Sequence, residues 1–320
     1  MITLNKNNGI ERLKNWSDVL ERPAFRSDVS PKGNTVKSIL GVYKFKDQIK
    51  CGLSSCHQPH NNGYLVQFES GVETNIGKDC GSSIFGTSFE SMYKQFDQDL
   101  KNKEGREILS SYQCKIPEYE ETLNLLLHSP YGAAWANKQI SKLQSKSNIP
   151  IKIYSYLAKQ AKNPNGILTE SYVASENEIE DIEVIERRKI KERPYYLERE
   201  IGHISSTNVL SQENNLREVL INGTQQTLRA LDSANVDTML PNRIRALNKG
   251  AAKIIPQFEN SISILKLAVD FLNPSNLEKL SYLAEDRDEI KQFDLFLKDI
   301  KKYYTSNKYE KHSESITIPA

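Results

Sequence analysis

Cys51-Gly-Leu-Ser-Ser-Cys56-His57-Gln-Pro-His60, followed further on by Ile76-Gly77-Lys78-Asp79-Cys80-Gly81, is the stretch on which the reading of this chain turns. Two thiols with four residues between them can converge on one metal ion from a short knuckle. An imidazole four positions after the second thiol, with Pro59 holding the turn, can supply a third ligand. Cys80 is the nearest candidate for a fourth. Between the two blocks, Gly63 to Ile76 alternates Tyr/Val/Phe and then Val/Thr/Ile around Ser70-Gly71, the period-2 signature of a β-hairpin with turn residues at the reversal. Such a hairpin returns the chain to the knuckle. Cys51, Cys56, His60 and Cys80 are therefore expected to form a closed Cys3His tetrahedron around zinc, a structural site with no position left for a substrate. His57, directly after Cys56, is the alternative to His60, and proximity alone does not choose between them. Free cysteines are often simply buried, but three of the four cysteines and two of the five histidines fall in this one region, which favours a metal.

Gly77 and Gly81 flank Cys80 and predict a tight approach before a helix, with Cys80 near the first turn, where exposed amides and the helix dipole favour a thiolate. Knuckle, hairpin and a ligand at a helix start are arranged in the order of a treble-clef zinc finger. Residues 40–86 resemble the small treble-clef-like Cys/His modules of uncharacterised bacterial and phage proteins, whose hairpin ends in an Ile/Val-Gly-x-x-Cys turn. The usual treble clef takes two ligands from its helix, whereas this sequence offers one there. The resemblance implies a metal and no particular activity.

The chain has 320 residues and a net charge of +2, enough length for one large or two ordinary domains and too little charge to name a partner. It shows neither an amino-terminal apolar run with a cleavage site nor an apolar stretch approaching the roughly 18 residues of a membrane span, so no membrane partner and a cytoplasmic location are expected. The clustered thiols fit a reducing compartment better than a disulfide framework. The expected fold class is α+β. Residues 1–86 are read as a small zinc-stabilised β module behind a polar lead-in with one weak helical pattern (Ile10, Leu13, Trp16, Val19, Leu20), since a few strands need a staple. Residues 87–170 are read as a basic helical segment, 171–205 as a charged connector, 206–306 as a large helical bundle and 307–320 as a polar tail. Thr87-Ser88-Phe89-Glu90 is a capping-box pattern opening a helix with Phe89, Met92, Tyr93, Phe96 and Leu100 on one face and its end near Gly105. Ile244 to Leu272 reads as one long helix kinked at Pro256.

Charge distribution carries the functional expectation. From Thr122 to Thr169 there is no Asp or Glu, while Lys138, Lys142, Lys146, Lys152, Lys159 and Lys162 all fall inside. The first three stand four apart, one stripe on a helix, with Trp135 a turn before them as a stacking group. Arg245, Lys249 and Lys253 form a second stripe in another acid-free stretch. Cations at this spacing can follow a phosphate backbone, although a lysine run is often only a solvated face. The acidic block between Glu176 and Glu186 has the charge to cover the lysines in the absence of an anionic partner. Neither a glycine-rich phosphate loop nor a metalloprotease helix motif is present. The expectation is a zinc-containing, non-enzymatic protein that binds nucleic acid (DNA or RNA). The alternatives are a helical scaffold for a protein partner, and a nuclease using His57 and Asp79 beside the zinc.

Overall fold

The computed structural model describes residues 1–7, 9–306 and 318–319, so most of the expected polar tail lies outside the described residues. The chain forms two compact units, Met1–Tyr112 with Asn235–Asn248, and Gln113–Ala234 with Lys249–Ala320. The α+β expectation holds in its coarse form: a small antiparallel sheet near the amino terminus and a mainly helical remainder.

In the first unit five antiparallel strands are ordered β2-β1-β3-β4-β5. The lead-in is part of this sheet, contrary to the helical pattern read from its sequence. β1 (Ile2–Lys6) and β2 (Gly9–Leu13) pair with each other, and β1 continues onto β3 (Val36–Lys50). The alternation Ile2, Leu4 decides this. Both side chains are buried with Val19, Phe25, Tyr43 and Leu65, which two apolar positions one strand-period apart can do only from an extended backbone. Only Ser17–Leu20 (α1) is helical in this region. Gly41 in β3 allows the close pairing, since a Cβ there would lie 2.8 Å from the carbonyl oxygen of Thr3.

The hairpin of β4 (Pro59–Phe68) and β5 (Glu73–Ile76) forms as the alternation predicts, with Gly71 at φ 85° in the turn. Segment 22–29 runs beside it. Arg22 donates twice to the buried Glu73 carboxylate, at 2.6 and 2.9 Å, and short parallel bridges join Phe25 to Glu73 and Val29 to Leu53. Helix α2 (Lys78–Cys114) breaks once, at Gly86, where φ is 61° and ψ −145°. Beyond the break Phe89, Tyr93, Phe96 and Leu100 are buried against Tyr64, Val66 and Phe68, the face read from the sequence. The helix does not end near Gly105. Absence of a side chain there admits Ile244, which a Cβ would approach at 3.3 Å, and Asn248 donates to the Gly105 carbonyl at 2.8 Å.

The second unit contains α3 (Ile116–His128), α4 (Ala133–Leu143), α5 (Ile151–Lys162), a two-stranded antiparallel sheet of β6 (Ile167–Val173) and β7 (Tyr196–His203), α7 (Gln226–Asp232), α9 (Ile254–Phe271), α10 (Pro274–Leu277) and α11 (Arg287–Ser306). The stretch read as a connector is thus folded. Between its strands lies α6 (Glu176–Glu186), opened by a Ser175–Glu178 capping box, with Ile179 packed on Ala174 and Ile190. Three of its acids pair with nearby cations and none with the lysine stripe among the described residues: Glu183 pairs with Lys189, Glu186 with Arg188 and Glu176 with Arg193. Glu178 is held below the usual carboxylate range by the hydroxyl groups of Tyr172 and Ser175 and the Ser175 amide.

Ile244 to Leu272 is not one kinked helix. Helix α8 (Pro241–Ala251) stops, residues 252–253 turn, and α9 begins at Ile254. Pro256 therefore occupies the first turn of α9, where its missing N–H has no helical acceptor to lose. Glu218–Gln225 is a π-helical stretch leading directly into α7. Its widened turn accompanies the close approach of Gln257, whose amide oxygen accepts from the Thr224 hydroxyl at 2.9 Å. A side chain at Gly223 would meet that same amide at 2.8 Å.

Candidate metal centre

The knuckle leaves β3 at Lys50 and re-enters the sheet at Pro59, and its shape is fixed by backbone contacts with β5. Gly52 donates to the Asn75 carbonyl at 2.8 Å, and a Cβ at Gly52 would fall 2.0 Å from the Thr74 hydroxyl, so a glycine is required there. Cys51 N–H donates to Gln58 O at 3.0 Å, closing the loop. Helix α2 then brings Cys80 back in its first turn, with Gly81 pressed on the Phe89 ring. As a result the sulfurs of Cys51, Cys56 and Cys80 all lie within 4.8 Å of one another, and Cys56 Sγ is 3.1 Å from Cys80 Sγ. Thiolates about 2.3 Å from a tetrahedral zinc stand roughly 3.8 Å apart, so a modest spreading of this cluster suits such an ion. The three cysteines can hold a metal ion.

Backbone amides already face the sulfurs. Cys51 accepts from the N–H groups of Leu53 and Gly77, and Cys56 from that of Gln58. Burial outweighs these contacts at Cys51 and pushes its thiol up. At Cys56 burial is overcome by the Gln58 amide and the neighbouring thiols, and the net direction is down. Cys80 is pushed up to about 12, by burial and then by the Cys56 and Cys51 sulfurs. The helix start expected to favour a Cys80 thiolate is thus overridden by burial and by crowding among three thiols. A cation between them reverses that sign, because coordination removes the thiol proton outright.

Neither histidine joins the cluster among the described residues, and neither does a carboxylate. The structure places His60 in a different network. Asn75 Nδ2 donates to Lys50 O at 2.8 Å and to the Tyr43 hydroxyl at 3.2 Å. Having accepted there, the hydroxyl gives its own proton to His60 Nε2, which leaves His60 Nδ1 protonated and donating to Gln58 O at 3.0 Å. Both ring nitrogens are therefore engaged, and the Tyr43 hydroxyl, pushed well up by burial, stays neutral. His57 contacts oxygens as well, Cys51 O through Nδ1 and Asp28 Oδ1 through Nε2, each at 3.3 Å. Its backbone is left-handed, φ 50°, the conformation that lets the chain turn so that Gln58 N–H reaches Cys56 Sγ. Glycine adopts this conformation without the ~1–2 kcal/mol strain of other residues. His57→Gly is accordingly expected to retain the metal and to change stability by less than about 1 kcal/mol, the lost Asp28 contact being exposed and weak. Metal content and a denaturant melt check both, and a loss of metal would make His57 a ligand.

The basic residues read from the sequence are distributed more unevenly than a stripe. Lys138 and Lys142 are on α4, but Lys146 lies beyond its end, with its ammonium 5.3 Å from the centre of the Tyr154 ring. Lys142 pairs with Asp299 at 3.7 Å and Lys152 with Glu285. Lys159 and Lys162 are exposed on α5. Trp135 is stacked on Tyr303, 4.8 Å between centroids and 15° between planes, and edge-on to Tyr131, so it serves internal packing. Arg245 and Lys249 are exposed on α8, whereas Lys253 is outside it, in the residue before α9. Sequence reasoning passed over Arg243, exposed two positions before Arg245; its signal was the acid-free run already noted.

Among the described residues no helix is long and apolar enough to cross a membrane. Comparison of the chain with family models, with curated proteins and with solved structures finds no match.

Proposed function

We propose that this is a non-enzymatic nucleic-acid-binding protein in which Cys51, Cys56 and Cys80 hold one structural zinc ion. Three thiolates suit this borderline-soft metal and leave its fourth tetrahedral position to solvent, in place of the closed tetrahedron expected from the sequence. A structural role is supported by position, since the cluster ties the knuckle between β3 and β4 to the start of α2. The order of knuckle, hairpin and helix start supports kinship with treble-clef modules. The observation that carries the nucleic-acid reading is α8: it contains Arg243, Arg245 and Lys249 and no acid, all three are exposed, and none forms an ion pair among the described residues. Unpaired cations one turn apart are what phosphate contacts require.

The test is binding of labelled nucleic acid across a salt series. Arg245→Glu/Lys249→Glu is expected to weaken binding at least tenfold and to flatten the logarithmic salt dependence by about 1.5–2 units, corresponding to two lost phosphate contacts. Binding indifferent to both salt and reversal would remove the reading. The rival, a surface for a protein partner, is favoured by one observation, the adjoining exposed Val184 and Ile185 on α6. Binding through an apolar interface would lose little at high salt.

A further inference from the structure

The second unit contains a groove that the lysine stripes did not anticipate. Three clefts of about 300, 210 and 380 Å³ run along α3, α4, the π-helical stretch and α7, and they share walls. Leu127, His128 and Gln225 border the first and second; Asn137 and Leu216 border the second and third. Arg229 is at one end, Arg217 in the middle and Lys162 at the other end. All three are exposed, and none has an ion-pair partner among the described residues, in contrast to Lys142 and Lys152. Glu120 is the one carboxylate lining these clefts. The wall between the arginines is π-helical, and such turns recur at functional sites because they displace side chains from the ordinary helical positions.

Resting on the nucleic-acid reading above, we propose that this groove takes a single nucleic-acid strand. Its length and spaced cations match a linear polyanion better than a compact ligand. Asn137 and Gln225 bring side-chain amides of the kind that bond to exposed base edges, and the half-buried Leu127 and Ile221 offer an apolar surface to base faces. In a duplex the pairing edges and faces of the bases are already taken by pairing and stacking, so amides and apolar groups of this kind serve an unpaired strand.

The experiment compares binding of a labelled twelve-nucleotide strand and of the corresponding duplex to the full chain. The variants are Arg217→Ala/Arg229→Ala, its charge-keeping counterpart Arg217→Lys/Arg229→Lys, and Lys162→Glu at the far end, each checked for fold by circular dichroism. The alanine pair and Lys162→Glu are expected to weaken strand binding at least tenfold, with the lysine pair near wild type and duplex binding changed little. If the groove variants bind the strand as wild type does while Arg245→Glu/Lys249→Glu does not, the groove assignment falls and the function stands. If wild type binds neither strand nor duplex, both fall. A polyglutamate chain that competes as well as the strand would overturn the assignment to nucleic acid and leave a groove for acidic peptides.

Discussion

Cys80→Ser is expected to abolish metal binding and to lower the melting temperature of the unit that contains the sheet. A serine hydroxyl is a poor donor to a thiophilic ion, and with two thiols left the site loses most of its affinity. In small zinc fingers the metal accounts for the whole of folding, about 10 kcal/mol or more. Here the sheet and α2 have a core of their own around Phe68, Phe89 and Tyr93, so a weakened fold is expected in place of an unfolded one. A loss of roughly 3 kcal/mol would appear as a fall of about 10 °C. Cys114→Ser is the control. Cys114 is exposed and outside the thiol cluster, and its replacement is expected to leave both metal content and melting unchanged. Equal loss in both variants would show that the effect is not that of a metal site.

Phe89→Ala is expected to cost about 3–5 kcal/mol in a denaturant melt, the range for emptying a large aromatic site in a packed core. Phe89 is fully buried, with ring centroids 6.1 Å from Tyr64 and 5.8 Å from Tyr93. It also fills the space a side chain at Gly81 would need, one residue from Cys80, so the same cavity loosens the turn that carries the third thiol. Metal affinity is expected to fall together with stability. A variant as stable as wild type would mean that α2 does not depend on this packing.

The parts of the fold legible in the sequence are those dictated by local pattern. The β4–β5 hairpin could be read because strict alternation meets a Ser-Gly reversal, the helix after Gly86 because Thr87 to Glu90 is a capping pattern, and its buried face because the spacing is helical. The three cysteines were legible for the same reason: knuckle, hairpin and helix start return the chain to one point. The fate of His60 was not legible, since it depends on Tyr43, a partner 17 residues away on another strand, whose hydroxyl occupies the nitrogen a metal would need. Trp135 was misplaced for a comparable reason, because the ring that stacks on it, Tyr303, is near the far end of the chain. The lysine stripe counted charges without their partners, and Asp299 and Glu285 belong to the carboxy-terminal part of the sequence. β1 escaped because two buried residues are too few to reveal a period until β3 is there to pair with it.

Elemental analysis of the purified protein, referred to its concentration, tests most directly whether three thiols of one chain converge on a metal. One zinc per chain is expected, together with three of the four thiols protected from reagent until a chelator is added. Protein free of metal, with all four thiols titrating at once, would contradict it.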